Sequence, residues 1–186
     1  MGVLVYGFGP YREFRNNITE PIIKALPSLP GLTTAVFPVR FNRRQFIDVL
    51  DRHKPDHVIG LGQCTRDRIE FESRATNRKR PSNRITAKPI RQSGAEFLST
   101  TLDIDLGSDV GHSDTAGDYV CNYSMYVILE YINRSERDIR FGFVHVPHYI
   151  DSGRGVALVM QAISQISSNQ NKHAGNKLAA VAGIGQ

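Results

Sequence analysis

A cysteine, two glutamates and a histidine are the side chains whose types and settings could do chemistry in this chain. Cys121 lies within Ser113-Asp114-Thr115-Ala116-Gly117-Asp118-Tyr119-Val120-Cys121-Asn122-Tyr123-Ser124-Met125-Tyr126, where a small-residue turn gives way to an apolar helical pattern. Tyr119, Tyr123, Tyr126, Val127 and Tyr131 recur at the steps of one buried helix face. Asp114, Thr115 and Asp118 are each possible N-caps, so Cys121 is expected in or near the first turn. Free backbone N–H groups and the helix dipole stabilise a negative sulfur there, and the same N–H groups can receive the oxyanion of a tetrahedral intermediate. A cysteine so placed can be a nucleophile. A small buried core thiol is the alternative that the same pattern allows.

A thiol nucleophile needs a base that titrates near neutrality, and imidazole is that group. His145 closes the apolar run Phe141-Gly142-Phe143-Val144-His145-Val146, just before Pro147. His148 completes a His-x-x-His pair, but Pro147 between them implies extended backbone and no third ligand cluster is evident, so a metal site is rejected. An orienting carboxylate is available in Ile69-Glu70-Phe71-Glu72-Ser73-Arg74. Strand alternation puts Glu70 and Glu72 on the same face and leaves both open for the role.

The elements that must position these groups follow from hydrophobic period. Val3–Tyr6, Leu32–Val39, His57–Leu61 and Arg140–Val146 read as strands, the first, third and last as the short apolar runs of a covered sheet. Helices are expected from about Thr19, with Ile22, Ile23 and Leu26 inward; over Asn42–Lys54, with Asn42 as cap; from Cys121 to about Asn133; and from Asp151 or Ser152, with Val156, Val159, Met160, Ile163 and Ile166 inward. Ile69–Thr76 alternates weakly, 77–94 is long and irregular, and Glu96–Leu106 is ambiguous. Strands alternating with helices give an α/β fold: a three-layer α/β/α sandwich around a twisted mixed sheet. One domain over 1–168 and a weakly ordered tail over 169–186 are expected.

Composition narrows the setting. The chain has 186 residues, ordinary hydrophobic content and no apolar run that approaches a membrane span. Met1-Gly2 leads straight into Val3-Leu4-Val5-Tyr6, with no basic leader pattern. Two cysteines make no disulfide framework, so a cytoplasmic location with free thiols is expected. The net charge of +5 is carried by one segment, 73–95, which holds Arg74, Arg78, Lys79, Arg80, Arg84, Lys88 and Arg91 and no acid. One basic loop rather than a basic face argues against nucleic acid as partner.

Several blocks, in order, resemble the pyroglutamyl peptidase (pyrrolidone-carboxylate peptidase) family of cysteine peptidases. Gly7-Phe8-Gly9-Pro10-Tyr11 is similar to the family's Gly-Phe-x-Pro-Phe loop, and Gly60-Leu61-Gly62-Gln63 to its Gly-Leu-Gly-Gln strand end. Glu72 with Asn77, Ser113–Gly117 through Cys121-Asn122 and Met125-Tyr126, and Phe143–Pro147 resemble its glutamate, nucleophile and histidine blocks. The resemblance spans roughly 3–166 and needs a one-residue deletion after Gln63. It implies a phosphorylase/hydrolase-like fold and hydrolysis of the amide bond after an N-terminal 5-oxoproline through a thioester. Cys121 would be the nucleophile, His145 the base and acid, and Glu72 the orienting carboxylate. Phe8, Tyr11, Gln63, Tyr119 and Val120 would bind the substrate, with no cofactor and a homo-oligomeric, tetrameric state. Arg12-Glu13 and Cys64-Thr65-Arg66-Asp67 depart from the family's glycine-rich turns and put charge at the expected pocket mouth; the family's Ala-Arg-Ile-Pro-Asp-Asn segment survives only as Asn83-Arg84-Ile85. The alternatives are a divergent thiol amidohydrolase on another lactam or acyl-amide, and a non-catalytic member that binds nucleic acid or a partner through the basic loop 74–91.

Overall fold

Apolar runs bounded by turns become strands of one sheet in the computed structural model, which describes the backbone of residues 1–11, 15–135 and 137–182 and side chains as far as 170. The elements in order are β1 (Val3–Phe8), α1 (Thr19–Ala25), β2 (Leu32–Phe37), α2 (Arg43–His53), β3 (His57–Cys64), β4 (Ile69–Glu72), β5 (Arg74–Thr76), β6 (Phe97–Ser99), β7 (Val110–Ser113), α3 (Val120–Arg134), β8 (Arg140–Pro147) and α4 (Ser152–Ala182). The main sheet has the order β2-β1-β3-β8-β4-β7. β2, β1, β3 and β8 are parallel neighbours, whereas β4 runs antiparallel to β8 and parallel to β7. β5 and β6 form a separate antiparallel pair.

The two faces of the sheet are covered by different helices, and strand alternation sorts the side chains. Leu4, Tyr6, Phe8, Phe141 and Phe143 pack with Phe46 and Leu50 of α2 and Val120, Tyr123 and Val127 of α3. Val3, Val5, Val144 and Val146 pack with Ile22 and Ile23 of α1 and Val159, Ile163 and Ile166 of α4. This is the expected α/β/α sandwich around a mixed sheet. Covering on both faces explains why β1, β3 and β8 read as nearly unbroken apolar runs. α1 and α2 leave the β1 neighbourhood toward opposite faces, so the carboxyl ends of β1 and β3 flank a switch point, where open α/β sheets form crevices.

Helix α2 starts where its cap demands. The Asn42 side chain accepts from Arg44 N at 3.0 Å, and Lys54 takes the left-handed conformation, φ 46° and ψ 52°, at the other end. At α4, Asp151 Oδ1 accepts from Arg154 N at 3.0 Å.

Differences from the sequence expectations have local causes. β1 continues through Gly7 and Phe8, because both pair with Val36 and Phe37 of β2. Phe8, which the family resemblance places in a loop, is therefore a buried strand residue. The weak alternation over 69–76 conceals two strands in different sheets, separated at Ser73. β7, unsignalled by its Val-Gly-His-Ser sequence, pairs with β4 at the sheet edge. In 77–94, Asn77 closes the long loop: its side chain donates to Arg91 O and accepts from Arg91 N, both at 2.9 Å. The expected tail from 169 onward lies, from 171, outside the residues whose side chains are described, although α4 extends along its backbone to Ala182.

Candidate active site

Cys121 is the second residue of α3. The N-cap is Tyr119, which makes no side-chain capping bond. The three expected caps are engaged elsewhere: Asp114 accepts from Ser73 Oγ at 2.6 Å, Thr115 Oγ1 from Gly117 N at 3.3 Å, and Asp118 pairs with Arg80 at 2.8 Å. The first-turn N–H groups around Cys121 are thus left without a side-chain cap, the condition an oxyanion site requires. The turn itself is held from beneath. Ser124 Oγ donates to Cys121 O at 2.8 Å, which leaves the buried Tyr6 hydroxyl to donate to Ser124 Oγ at 3.0 Å. Asn122 is fully buried and clasps the chain beside it, accepting from Thr76 N at 2.8 Å and donating to Arg78 O at 2.7 Å.

His145 comes from the carboxyl end of β8. Gly62 of β3 is its parallel neighbour, and a Cβ there would stand 2.8 Å from the imidazole Cδ2, so only glycine leaves the ring its place. Register sets Glu70 of β4 opposite His145, yet Glu72, two residues along the same face, makes the bond: Nδ1 and Glu72 Oε1 are 2.5 Å apart. Glu70 faces Arg66 at 2.5 Å and Arg68 at 2.9 Å instead. The alternative that the sequence leaves open is thus resolved geometrically in favour of Glu72 as the partner of His145. A carboxylate acceptor assigns the Nδ1 proton to the histidine and leaves Nε2 to take a proton. His148 lies apart, with its ring 5.2 Å from Tyr149, and no group of three or more His, Cys, Asp or Glu side chains among the described residues could hold a metal ion.

A cavity of about 260 Å³ opens at the switch point. Phe8, Tyr11, Gln63, Tyr119 and Val120, the five expected substrate-binding residues, all line it beside Cys121. The rings of Tyr11 and Tyr119 pack against each other at a tilt, with centroids 5.1 Å apart. Gln63 Oε1 accepts from Ile18 N at 2.8 Å and so fixes the start of α1 to the end of β3. Sequence reasoning missed Asn17, Val39 and the wall Arg80-Pro81-Ser82-Asn83. The signal for that wall was Asn83-Arg84-Ile85, which resembles a family segment at shifted spacing. Arg80 N donates to Asp118 O at 2.6 Å, and the pair of side chains adds an ion bridge, so the long loop closes over the cavity beside the start of α3. Cys64 and Thr65 also line the cavity, whereas Arg66 does not. Arg12 and Glu13 lie outside the described residues.

The model of the pyroglutamyl peptidase family matches residues 1–165. The chain belongs to that family. Among curated relatives, the pyrrolidone-carboxylate peptidase of Alkaliphilus oremlandii is 30% identical over 177 residues, covering 84% of this chain and 83% of its own. That of Thermosipho africanus is 28% identical over 179 residues, covering 80% and 82%. Among solved structures, a mutant pyrrolidone carboxyl peptidase from Pyrococcus furiosus superposes with a TM-score of 0.79 at 27% identity, covering 88% of this chain and 97% of that one. The enzyme from Thermococcus litoralis does so with a TM-score of 0.81 at 23% identity, covering 92% and 96%, a likeness of fold. As a member of this family, the protein is a cysteine-type omega peptidase of the pyroglutamyl class.

In this pyroglutamyl peptidase the resting sulfur differs from the sequence expectation. Burial pushes the Cys121 thiol up to about 12, with neighbouring Cys64 and the Glu72 carboxylate acting in the same direction, against Arg66 and the residue's own backbone N–H. Desolvation outweighs the helix terminus, so the shift favours the protonated thiol of Cys121. Among the described residues no hydrogen bond joins this sulfur to His145. Cys121 nevertheless shares its electrostatic surroundings with Glu72 and Arg66, both in contact with the imidazole. Glu72 is displaced the opposite way. Its burial raises its pKa, but the His145 bond and charge, then Ser113 and Arg66, overcome this and hold the carboxyl below its ordinary 4.5.

A depressed folded-state pKa stabilises the fold above the unfolded value, and that contribution disappears as pH falls through the folded one. Urea unfolding of the parent from neutrality down through pH 4.5 is therefore expected to show an acid loss of stability that Glu72→Gln lacks. Parallel pH curves for the two proteins would contradict the charge pairing.

Proposed function

We propose that this pyroglutamyl peptidase releases 5-oxoproline from peptide N-termini with Cys121 as nucleophile, His145 as general base and then acid, and Glu72 as the carboxylate that orients His145. The observation that carries these roles is the buried 2.5 Å bond from His145 Nδ1 to Glu72, beside a cavity lined by Cys121. The substrate residue is a flat, uncharged lactam with one N–H donor and one carbonyl acceptor. Aromatic surface from Phe8, Tyr11 and Tyr119 suits its ring faces, and backbone groups near Gln63 suit its two polar atoms. An ordinary N-terminal ammonium would lose its hydration there without a dedicated counter-charge, since Asp118 is already paired with Arg80.

The chemistry follows from the resting thiol. His145 Nε2 accepts the sulfur proton as Cys121 attacks the pyroglutamyl carbonyl, and Glu72 stabilises the imidazolium that forms. First-turn N–H groups of α3 receive the oxyanion. Collapse breaks the C–N bond, and the imidazolium gives its proton to the departing amine. Water, deprotonated by His145, then cleaves the thioester to release 5-oxoproline and regenerate the thiol.

We also propose a cytoplasmic location, with which two free cysteines agree, and a homo-oligomeric state, tetrameric by resemblance. Part of the basic loop's charge is paired within the chain itself. Arg74 meets Asp114, Arg80 meets Asp118 and Arg91 meets Glu130, while Arg74 also lies over the Phe97 ring at 5.2 Å.

Hydrolysis of a pyroglutamyl fluorogenic amide is the direct assay. Cys121→Ala is expected to lower kcat by at least about a thousandfold; a variant as active as the parent would remove the sulfur from the mechanism. Phe8 also packs in the core, so Phe8→Leu is the apt probe of ring stacking. Loss of about 1 kcal/mol of aromatic contact predicts a KM roughly fivefold higher; an unchanged KM would take Phe8 out of the pocket's binding role. Light scattering is expected to give a multiple of the chain mass, and a monomer would contradict the assembly.

A further inference from the structure

Arg66 stands in the β3–β4 connection, directly after the cavity-lining Cys64 and Thr65. Its sequence position suggests a charge at the pocket mouth that screens incoming peptides. The guanidinium turns the other way. Nη2 donates to Glu72 Oε1 at 2.7 Å and lies 2.9 Å from His145 Nδ1. Nη1 lies 2.5 Å from Glu70 Oε2 and donates to Ser113 Oγ at 3.2 Å. One side chain thus touches both glutamates of β4 and the histidine of β8.

A guanidinium has donors only. The imidazole Nδ1 cannot both accept from Arg66 and donate to Glu72, and the 2.5 Å approach to a carboxylate oxygen requires that it donate. Oε1 of Glu72 therefore receives two N–H groups at once, and the 2.9 Å separation of the two nitrogens is the consequence of their convergence on it. Glu70 and Glu72 are 4% and 0% exposed and lie on one face of one strand. Two carboxylates so placed repel, and each loses its hydration. A rigid planar fork that meets both compensates the two charges and also fixes where Oε1 points. The same cation opposes the effect of Glu72 on the Cys121 thiol.

We propose that Arg66 is a positioning residue of this active site: by bridging Glu70 and Glu72 it holds the carboxylate oxygen that receives the His145 Nδ1 proton. It acts on the reaction through Glu72 and does not touch the substrate. This rests on the proposed roles of Glu72 and His145 in pyroglutamyl hydrolysis.

The test compares Arg66→Ala and Arg66→Lys with the parent. Two readouts are used: steady-state hydrolysis of a pyroglutamyl fluorogenic amide, and proton NMR of the His145 ring N–H, assigned by its loss in His145→Gln. Arg66→Ala is expected to lose on the order of a hundredfold in kcat, the cost of a misdirected catalytic group, with KM within about threefold of the parent. Methylguanidinium added to this variant restores part of the rate saturably. Arg66→Lys keeps the charge without the fork and falls between; it also serves if the alanine variant does not fold. In both variants the N–H resonance shifts or broadens. Either variant with parental kcat, a KM increase at constant kcat, or an unmoved N–H resonance overturns the role of Arg66. A parent inactive on every pyroglutamyl amide overturns the proposed activity instead, and the resonance then still decides whether Arg66 positions the pair.

Discussion

The Glu72–His145 bond is the contact on which the rest of the active site depends, and it exists because β4 runs against β8. An antiparallel neighbour brings its side chains across at matched height, and the diagonal position lets a glutamate reach a ring nitrogen that a directly opposed one does not. The sheet is otherwise parallel from β2 to β8, so this reversal is its one change of direction before the β4–β7 pair restores parallel pairing. It gives the histidine an acceptor that is fully buried and shielded from water. A carboxylate in that setting is tolerable only while cations and donors surround it. His145, Ser113 and Arg66 supply them.

Cys121, the proposed nucleophile, is positioned by a different layer. α3 presents Cys121 from the face of the sheet that carries Phe8 and Phe143, while the histidine arrives from the sheet itself. The first turn of α3 is held by Tyr6, Ser124 and Asn122, none of which reaches the sulfur's side of the cavity. Holding the helix end so firmly inside the protein has an electrostatic consequence. The dipole and the N–H groups favour a thiolate, but the surroundings are dry enough to favour the neutral thiol. The proposed base-assisted attack fits that balance, since charge then appears on sulfur, imidazole and oxyanion only as they come together.

The long basic loop also looks different once folded. Three of its arginines meet acids elsewhere in the chain: Arg74 at Asp114, Arg91 at Glu130 of α3 and Arg80 at Asp118 beside the cavity. Glu130 is buried and takes a second cation, Arg43 from α2, at 2.6 Å. The loop therefore joins the α2–α3 layer to the pocket wall and contributes a surface of the site. Its excess charge in the sequence reflects acids placed elsewhere along the chain.

Much of this was legible in the residues because it depends on local rules. Period defined β1, β3, β8 and the Cys121 helix, and period with its Asn42 cap defined α2, since a strand covered on both faces and a helix with a buried stripe leave distinct apolar patterns. Residue chemistry identified Cys121 and His145 as the candidate nucleophile and base. The choice between Glu70 and Glu72 was not available to pattern alone: both occupy one face, and resemblance rather than period singled out Glu72. Deciding it needed the register of β4 against β8, a contact between segments more than seventy residues apart. The same holds for the resting state of Cys121, the inward turn of Arg66 and the edge strand β7. Proton affinity, charge pairing and edge pairing are set by neighbours that only the folded chain brings close, and no period along the sequence encodes them.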